Sequence, residues 1–213
     1  MKQAYRDRVR SQVRRNSDEW EDRSRNAARR LLSAVCFRES AESTLRQTGS
    51  ALLPPIAFYY ALYHAVIAAL YLDCNTEPRK LSLARHKLVA DRLASNLVKP
   101  GLVGPDVAEV LQKLRAFREY ANYSVGGKLP GDNQYLNALD DSKHFYASTG
   151  QALSSLLRFI RAVSEAARTD PSISDRIKVT IGDDIGDDVF QMYLSHADRE
   201  RVSTYLLAEK LTT

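Results

Sequence analysis

The sequence predicts an all-α protein: a helical body followed by a small C-terminal appendage. Three observations carry that prediction. Glycine and proline are few, 9 and 7 in 213 residues, which suits long helices better than sheets. Apolar residues recur every three or four positions over long stretches. Residues 56–72, Ile-Ala-Phe-Tyr-Tyr-Ala-Leu-Tyr-His-Ala-Val-Ile-Ala-Ala-Leu-Tyr-Leu, are apolar on nearly every side, as the central rod of a helical domain would be.

The elements follow in order. Residues 1–16 are rich in arginine and poor in apolar residues, so they read as a basic N-terminal arm, poorly ordered or helical only with a partner. Residues 1–30 hold ten Lys/Arg against five Asp/Glu, leaving 21 of each for the rest of the chain. The net charge of +5 therefore sits at one end. Such an arm could lie along phosphates or simply be solvated. The stretch from Met1 to Arg30 lacks an apolar run and reads as carrying no secretory signal.

Ser17 is a plausible N-cap, with Asp18, Glu19 and Glu21 near the positive helix end. One long helix fits from there to Thr48, with Gly49 ending it. Pro54 and Pro55 open the apolar rod. It nears the lower length limit for a membrane span, but its four tyrosines, central His64 and paired prolines favour a buried core helix. A turn at 75–80 leads to a more polar helix over about 83–98. Lys99-Pro100-Gly101 breaks it, and a helix from about Pro105 to Val125 follows. After glycines at 126, 127 and 131, Asp132 or Asn133 opens another long helix to about Arg168. Residues 177–181 alternate like a short strand, 182–188 form an acidic turn, and 189–211 suit one or two helices. The domain reading is an arm at 1–16, a bundle at 17–168 and an appendage at 169–213.

Cys36 and Cys74 fall in apolar helical stretches and read as small core residues of a reducing cytosol. The four histidines show no ligand spacing, and no phosphate loop, nucleophile elbow or calcium loop is present, so neither a metal nor another cofactor is predicted. One position stands out. On the helical wheel of 105–125, Val107, Val110, Leu111, Leu114, Ala121 and Val125 share a face, and Arg118 falls in the middle of it. An arginine keeps its charge, so burying it unpaired costs too much. It needs a carboxylate, a cleft or a second chain. Asn122, four residues on, shares its face, whereas Tyr123 points away unless the helix ends early. His64 is either a satisfied core histidine or a functional one.

Two segments resemble the HEPN family (higher eukaryotes and prokaryotes nucleotide-binding), in its small bacterial standalone branch. Residues 57–65, Ala-Phe-Tyr-Tyr-Ala-Leu-Tyr-His-Ala, are similar to that branch's aromatic helix. Residues 114–123 are similar to its "L-x-x-x-R-x-x-A-[DN]-Y" helix end. The likeness covers roughly residues 20–165. It implies an antiparallel bundle of four to five helices that forms a cytoplasmic homodimer. It also implies a component of a toxin–antitoxin or phage-defence system, paired in many members with a nucleotidyltransferase. Active members are metal-independent ribonucleases using an arginine followed after four to six residues by a histidine. Arg118 maps to the arginine, but the histidine positions hold Tyr123, Ser124 and Val125. A phenol titrating near 10 is a poor general base. The resemblance therefore implies Arg118 and Tyr123 as catalytic candidates and Asn122, His64 and Glu119 as RNA- or nucleotide-binding ones. It marks Tyr120 and Tyr123 as candidate modification sites. Whether cleavage accompanies binding stays open, as does a non-catalytic module that docks a partner protein.

Overall fold

The computed structural model describes the backbone of residues 1–48, 53–81, 85–123, 133–168, 197, 198, 200 and 201, and the side chains of these except 48, 120–123, 133–144 and 168. The described residues form an all-α bundle of α1 (Gln3–Arg15), α2 (Ser17–Thr48), α3 (Leu53–Leu72), α4 (His86–Arg92), α5 (Asp106–Tyr123) and α6 (Asn133–Arg168). A 3-10 turn (Pro78–Lys80) precedes α4 and a π-helical turn (Leu93–Val98) follows it. The expected strand at 177–181 and acidic turn at 182–188 lie outside the described residues. Of the appendage, Arg201 pairs with Glu39 of α2 at 3.0 Å.

The apolar rod is α3, and it sits at the centre, packed against α2, α5 and α6. Because it is apolar all round, each of its faces buries something, and fifteen of its twenty residues are buried. Among the described residues it is the helix long and apolar enough to cross a membrane, with 72% of its most apolar window buried inside the bundle. Its pairing with α2 is antiparallel. Arg23 of α2 reaches the carbonyls of Tyr71 and Asp73, Arg30 reaches His64, and Phe37 stacks on Tyr60. The α5–α6 pair is antiparallel as well: Gly104 bonds Ser155 and Phe117 meets Phe145.

The N-terminal arm differs from the expectation of poor order. It is helix α1, docked through Tyr5, Val9 and Val13. These three lie at four-residue spacing and form a stripe one side chain wide, too narrow to stand out among the helix's five arginines. A buried polar knot locks the dock. Asp73, fully buried, accepts from the Tyr5 hydroxyl at 2.8 Å, the Thr76 hydroxyl at 2.6 Å and the Asn96 amide at 3.2 Å. Four further corrections are local. The cap of α2 is Asn16, not Ser17: its side chain accepts from the Glu19 amide at 3.2 Å and donates to the Glu19 carboxylate at 2.9 Å. The expected helix over 83–98 is α4 running into the π-helical turn, whose wider winding aims Asn96 at the knot. Cys36 is exposed on α2, and Cys74 lies in the turn after α3, so neither is a core helical residue.

Candidate functional site

The predicted apolar face of α5 is real: Val107, Val110, Leu111 and Leu114 are buried. Arg118 continues that face and is half-buried where α5 passes α3 and α4. Its Nε donates to the Tyr60 hydroxyl at 3.0 Å, and its guanidinium carbon lies 5.5 Å from the centroids of both the Tyr59 and Tyr60 rings. Arginine over tyrosine faces is attracted by the ring quadrupole. Among the described residues a phenol and two π-faces lie against Arg118.

Residues from four helices gather around Arg118. From α3 come Tyr59, Tyr60, Tyr63 and His64, on successive turns of the rod, Tyr59 and Tyr63 buried and Tyr60 and His64 half-buried. From α4 comes His86, its first residue, whose Nδ1 is hydrogen-bonded to the Tyr59 hydroxyl and whose ring lies 4.6 Å from that of Tyr63. From α2 come Arg30, bonded to His64 Nδ1 at 3.3 Å, and Phe37, stacked on Tyr60 and His64. From α5 come Arg118 and the Arg115–Glu119 ion pair at 2.8 Å.

Burial, then the positive charge of Arg30, pull His64 down to about 4. Burial and the neighbouring Arg118 and Arg115 also hold His86 below the usual histidine range, with Glu119 opposing. Both rings are therefore neutral at pH 7. Their tautomers follow from their partners. A guanidinium only donates, so His64 Nδ1 accepts and the ring proton sits on Nε2. The Tyr59 hydroxyl is buried, and His86 Nδ1 is its acceptor among the described residues. Burial holds that phenol protonated, against the pull of Arg118. Tyr59 thus donates, and His86 also carries its proton on Nε2. Among the described residues this cluster presents guanidiniums, imidazole N–H groups and tyrosine hydroxyls, with the Glu119 carboxylate paired to Arg115.

Of the predicted site residues, the structure brings Arg118, His64 and Glu119 to this cluster, Glu119 engaged by Arg115. The backbone of Tyr120, Asn122 and Tyr123 forms the last turns of α5, and their side chains lie outside the described residues. Sequence reasoning did not single out Arg30, Phe37, Tyr59 or Tyr60 as site residues; His86 it offered only as a stand-in for the missing histidine. Tyr60 and His64, four apart on one helix, could have been paired; Arg30 and Phe37 lie on a helix without a local signal. Among the described residues no three His, Cys, Asp or Glu side chains converge as a metal site would need. The chain matches no protein-family model, no curated protein and no solved structure.

Proposed function

We propose that this chain binds RNA phosphate at the Arg118 cluster, as a HEPN-like component of a bacterial toxin–antitoxin or defence system that acts as a cytoplasmic homodimer. The observation that carries the reading is Arg118 itself, bonded to a phenol and lying over two ring faces in a cluster rich in donors. Phosphate oxygens are acceptors, and a planar guanidinium with neutral N–H neighbours suits them. The aromatic rings suit bases, as single-strand binders use them. Binding rather than rapid cleavage is the primary reading, because neither histidine has a lone pair directed away from its protein partner.

A second reading is cleavage by the RNA's own 2′-hydroxyl. His86 would have to donate from Nδ1 to Tyr59 and accept the 2′-proton at Nε2. The 2′-oxygen would bond to phosphorus as the P–O5′ bond breaks, Arg118 stabilising the phosphorane charge, and the leaving 5′-oxygen would take the proton back from His86 Nε2, giving a 2′,3′-cyclic phosphate and a 5′-hydroxyl. The adjacency of His86, Tyr59 and Arg118 favours it; the buried Tyr59 hydroxyl, then short of an acceptor, weighs against it. Binding of a partner nucleotidyltransferase in place of RNA is the non-enzymatic rival.

One experiment separates them. Fluorescent hexauridylate and its 2′-deoxy counterpart are titrated with wild type, Arg118→Ala and Arg118→Lys, and the products are resolved by electrophoresis. Binding of both oligomers without breakdown, lost in Arg118→Ala, is the expected result. Breakdown of the ribo form alone, abolished in both variants and in His86→Ala, moves the assignment to cleavage. Unchanged affinity in a stably folded Arg118→Ala removes the site; co-purification with a nucleotidyltransferase then tests the rival, and intact-mass analysis after co-expression tests nucleotide addition at Tyr120 or Tyr123.

A further inference from the structure

Arg30 has no part in the reading so far. It comes from α2 and is hydrogen-bonded to His64, the ring on which Phe37 stacks. Three other arginines of α2 are neutralised locally: Arg23 by Glu19, Arg25 by Glu21 and Arg38 by Glu42. Arg30 has no carboxylate partner among the described residues. Its acceptor is an imidazole that is itself uncharged at neutral pH, so the site keeps its full positive charge. A half-buried guanidinium fixed in place and left positive is suited to an anion.

Arg118 is anchored in the same manner one helical turn away. Its acceptor, Tyr60, lies four residues before His64 on α3, and side chains at that spacing start about 5–6 Å apart on one face. The two guanidiniums are therefore tied to successive turns of one rigid helix. One further ring joins the two acceptors. Phe37 stacks on Tyr60 at 5.2 Å and 27° and on His64 at 5.5 Å and 7°. Two cations are thus held by rings that share one aromatic neighbour. A polynucleotide presents phosphate, base and phosphate at a repeating interval, and only an unpaired strand can turn a base towards a protein ring.

Resting on the phosphate-binding reading above, we infer that the cluster takes two successive phosphates of single-stranded RNA, one at Arg118 and the next at Arg30, with the intervening base against Phe37. Arg30 is thus a binding residue in its own right, and the preferred ligand is an oligonucleotide over a mononucleotide.

The test compares hexauridylate with uridine monophosphate across a salt titration, using wild type, Arg118→Ala, Arg30→Gln, Arg30→Lys and Phe37→Leu, with melting curves for each. Hexauridylate should bind at least tenfold more tightly than the mononucleotide. Arg30→Gln should weaken the hexamer and lower the slope of log affinity against log salt by about 0.7, the single-strand value for one phosphate contact. Arg30→Lys should keep that slope. Phe37→Leu should weaken the hexamer roughly fivefold or more with the slope unchanged, as loss of one base-stacking contact does. A folded Arg30→Gln with wild-type affinity and slope overturns the inference, as does equal binding of hexamer and mononucleotide. Failure of wild type to bind any oligomer, or binding that survives Arg118→Ala, instead overturns the phosphate-binding reading and takes this footprint with it.

Discussion

The Nε of Arg118 and the hydroxyl of Tyr60 are 3.0 Å apart, joining the end of α5 to the middle of the bundle's central helix. The bond decides which way the guanidinium faces. Tyr60→Phe removes the acceptor while keeping the ring beneath the cation. It should cost about 1 kcal/mol of stability, the net worth of one half-buried hydrogen bond. It should also weaken hexauridylate binding without abolishing it, since the guanidinium remains but is less firmly directed. Chemical denaturation and fluorescence titration read the two effects, and a variant equal to wild type in both would show that the phenol orients nothing.

Histidine 64 makes stability depend on pH. In the unfolded chain its imidazole titrates near 6.5, whereas in the fold burial and Arg30 take it to about 4. Between those values the unfolded chain binds the extra proton, so this contribution to stability is whole above about 6.5. It is lost progressively as pH falls towards 4. His86, shifted in the same direction, adds to the trend. Melting temperatures from pH 7 to pH 4 should fall more steeply for wild type than for His64→Gln. Parallel curves for the two proteins would mean that His64 is not held neutral by the fold.

Tyr5 and Asp73 hold α1 in place. The phenol donates to a carboxylate that is fully buried, and burial together with that carboxylate raises the Tyr5 hydroxyl well above its usual range, so it stays a donor at any ordinary pH. Tyr5→Phe should cost about 1.5–3 kcal/mol, the value of a hydrogen bond to a charged group. Amides of residues 3–15 should exchange faster than those of α3. An α1 that exchanges as slowly in the variant as in wild type would place its anchorage elsewhere, in Val9 and Val13.

Gly101 turns the chain between the π-helical turn and α5 with φ +70°, the left-handed region that side chains avoid. Space around it is open, with nothing within 4 Å of an added Cβ. The cost of Gly101→Ala is therefore conformational alone, about 1 kcal/mol. Urea denaturation should show a lower midpoint with an unchanged slope. No shift would mean the turn relaxes to negative φ.

The helices were legible because each carries its own periodicity. Residues 17–48 and 133–168 read as long helices, and the structure gives α2 and α6 those bounds. The rod of α3 was legible because only a core helix tolerates apolar side chains all round. The helix α1 was not, since four apolar residues among thirteen, three of them buried, are a faint pattern until a receiving surface exists. The π-helical turn was not, since Asn96 winds inward to satisfy a carboxylate from another segment. Arg118 was noticed because a charge on an apolar face is a local anomaly.

What surrounds Arg118 could not be read that way. Local pattern established the all-α class, the order of the main helices and the arginine that breaks an apolar stripe, because each depends on residues within a turn or two. Only packing decided that a phenol 58 positions away would hold that arginine, that Arg30 and Phe37 of α2 would lie beside it, and that two histidines 22 residues apart would be driven neutral in one cluster. Hydrogen bonds, ring stacking and desolvation act across space, and the chain brings those partners together only when α2, α3, α4 and α5 close around one another.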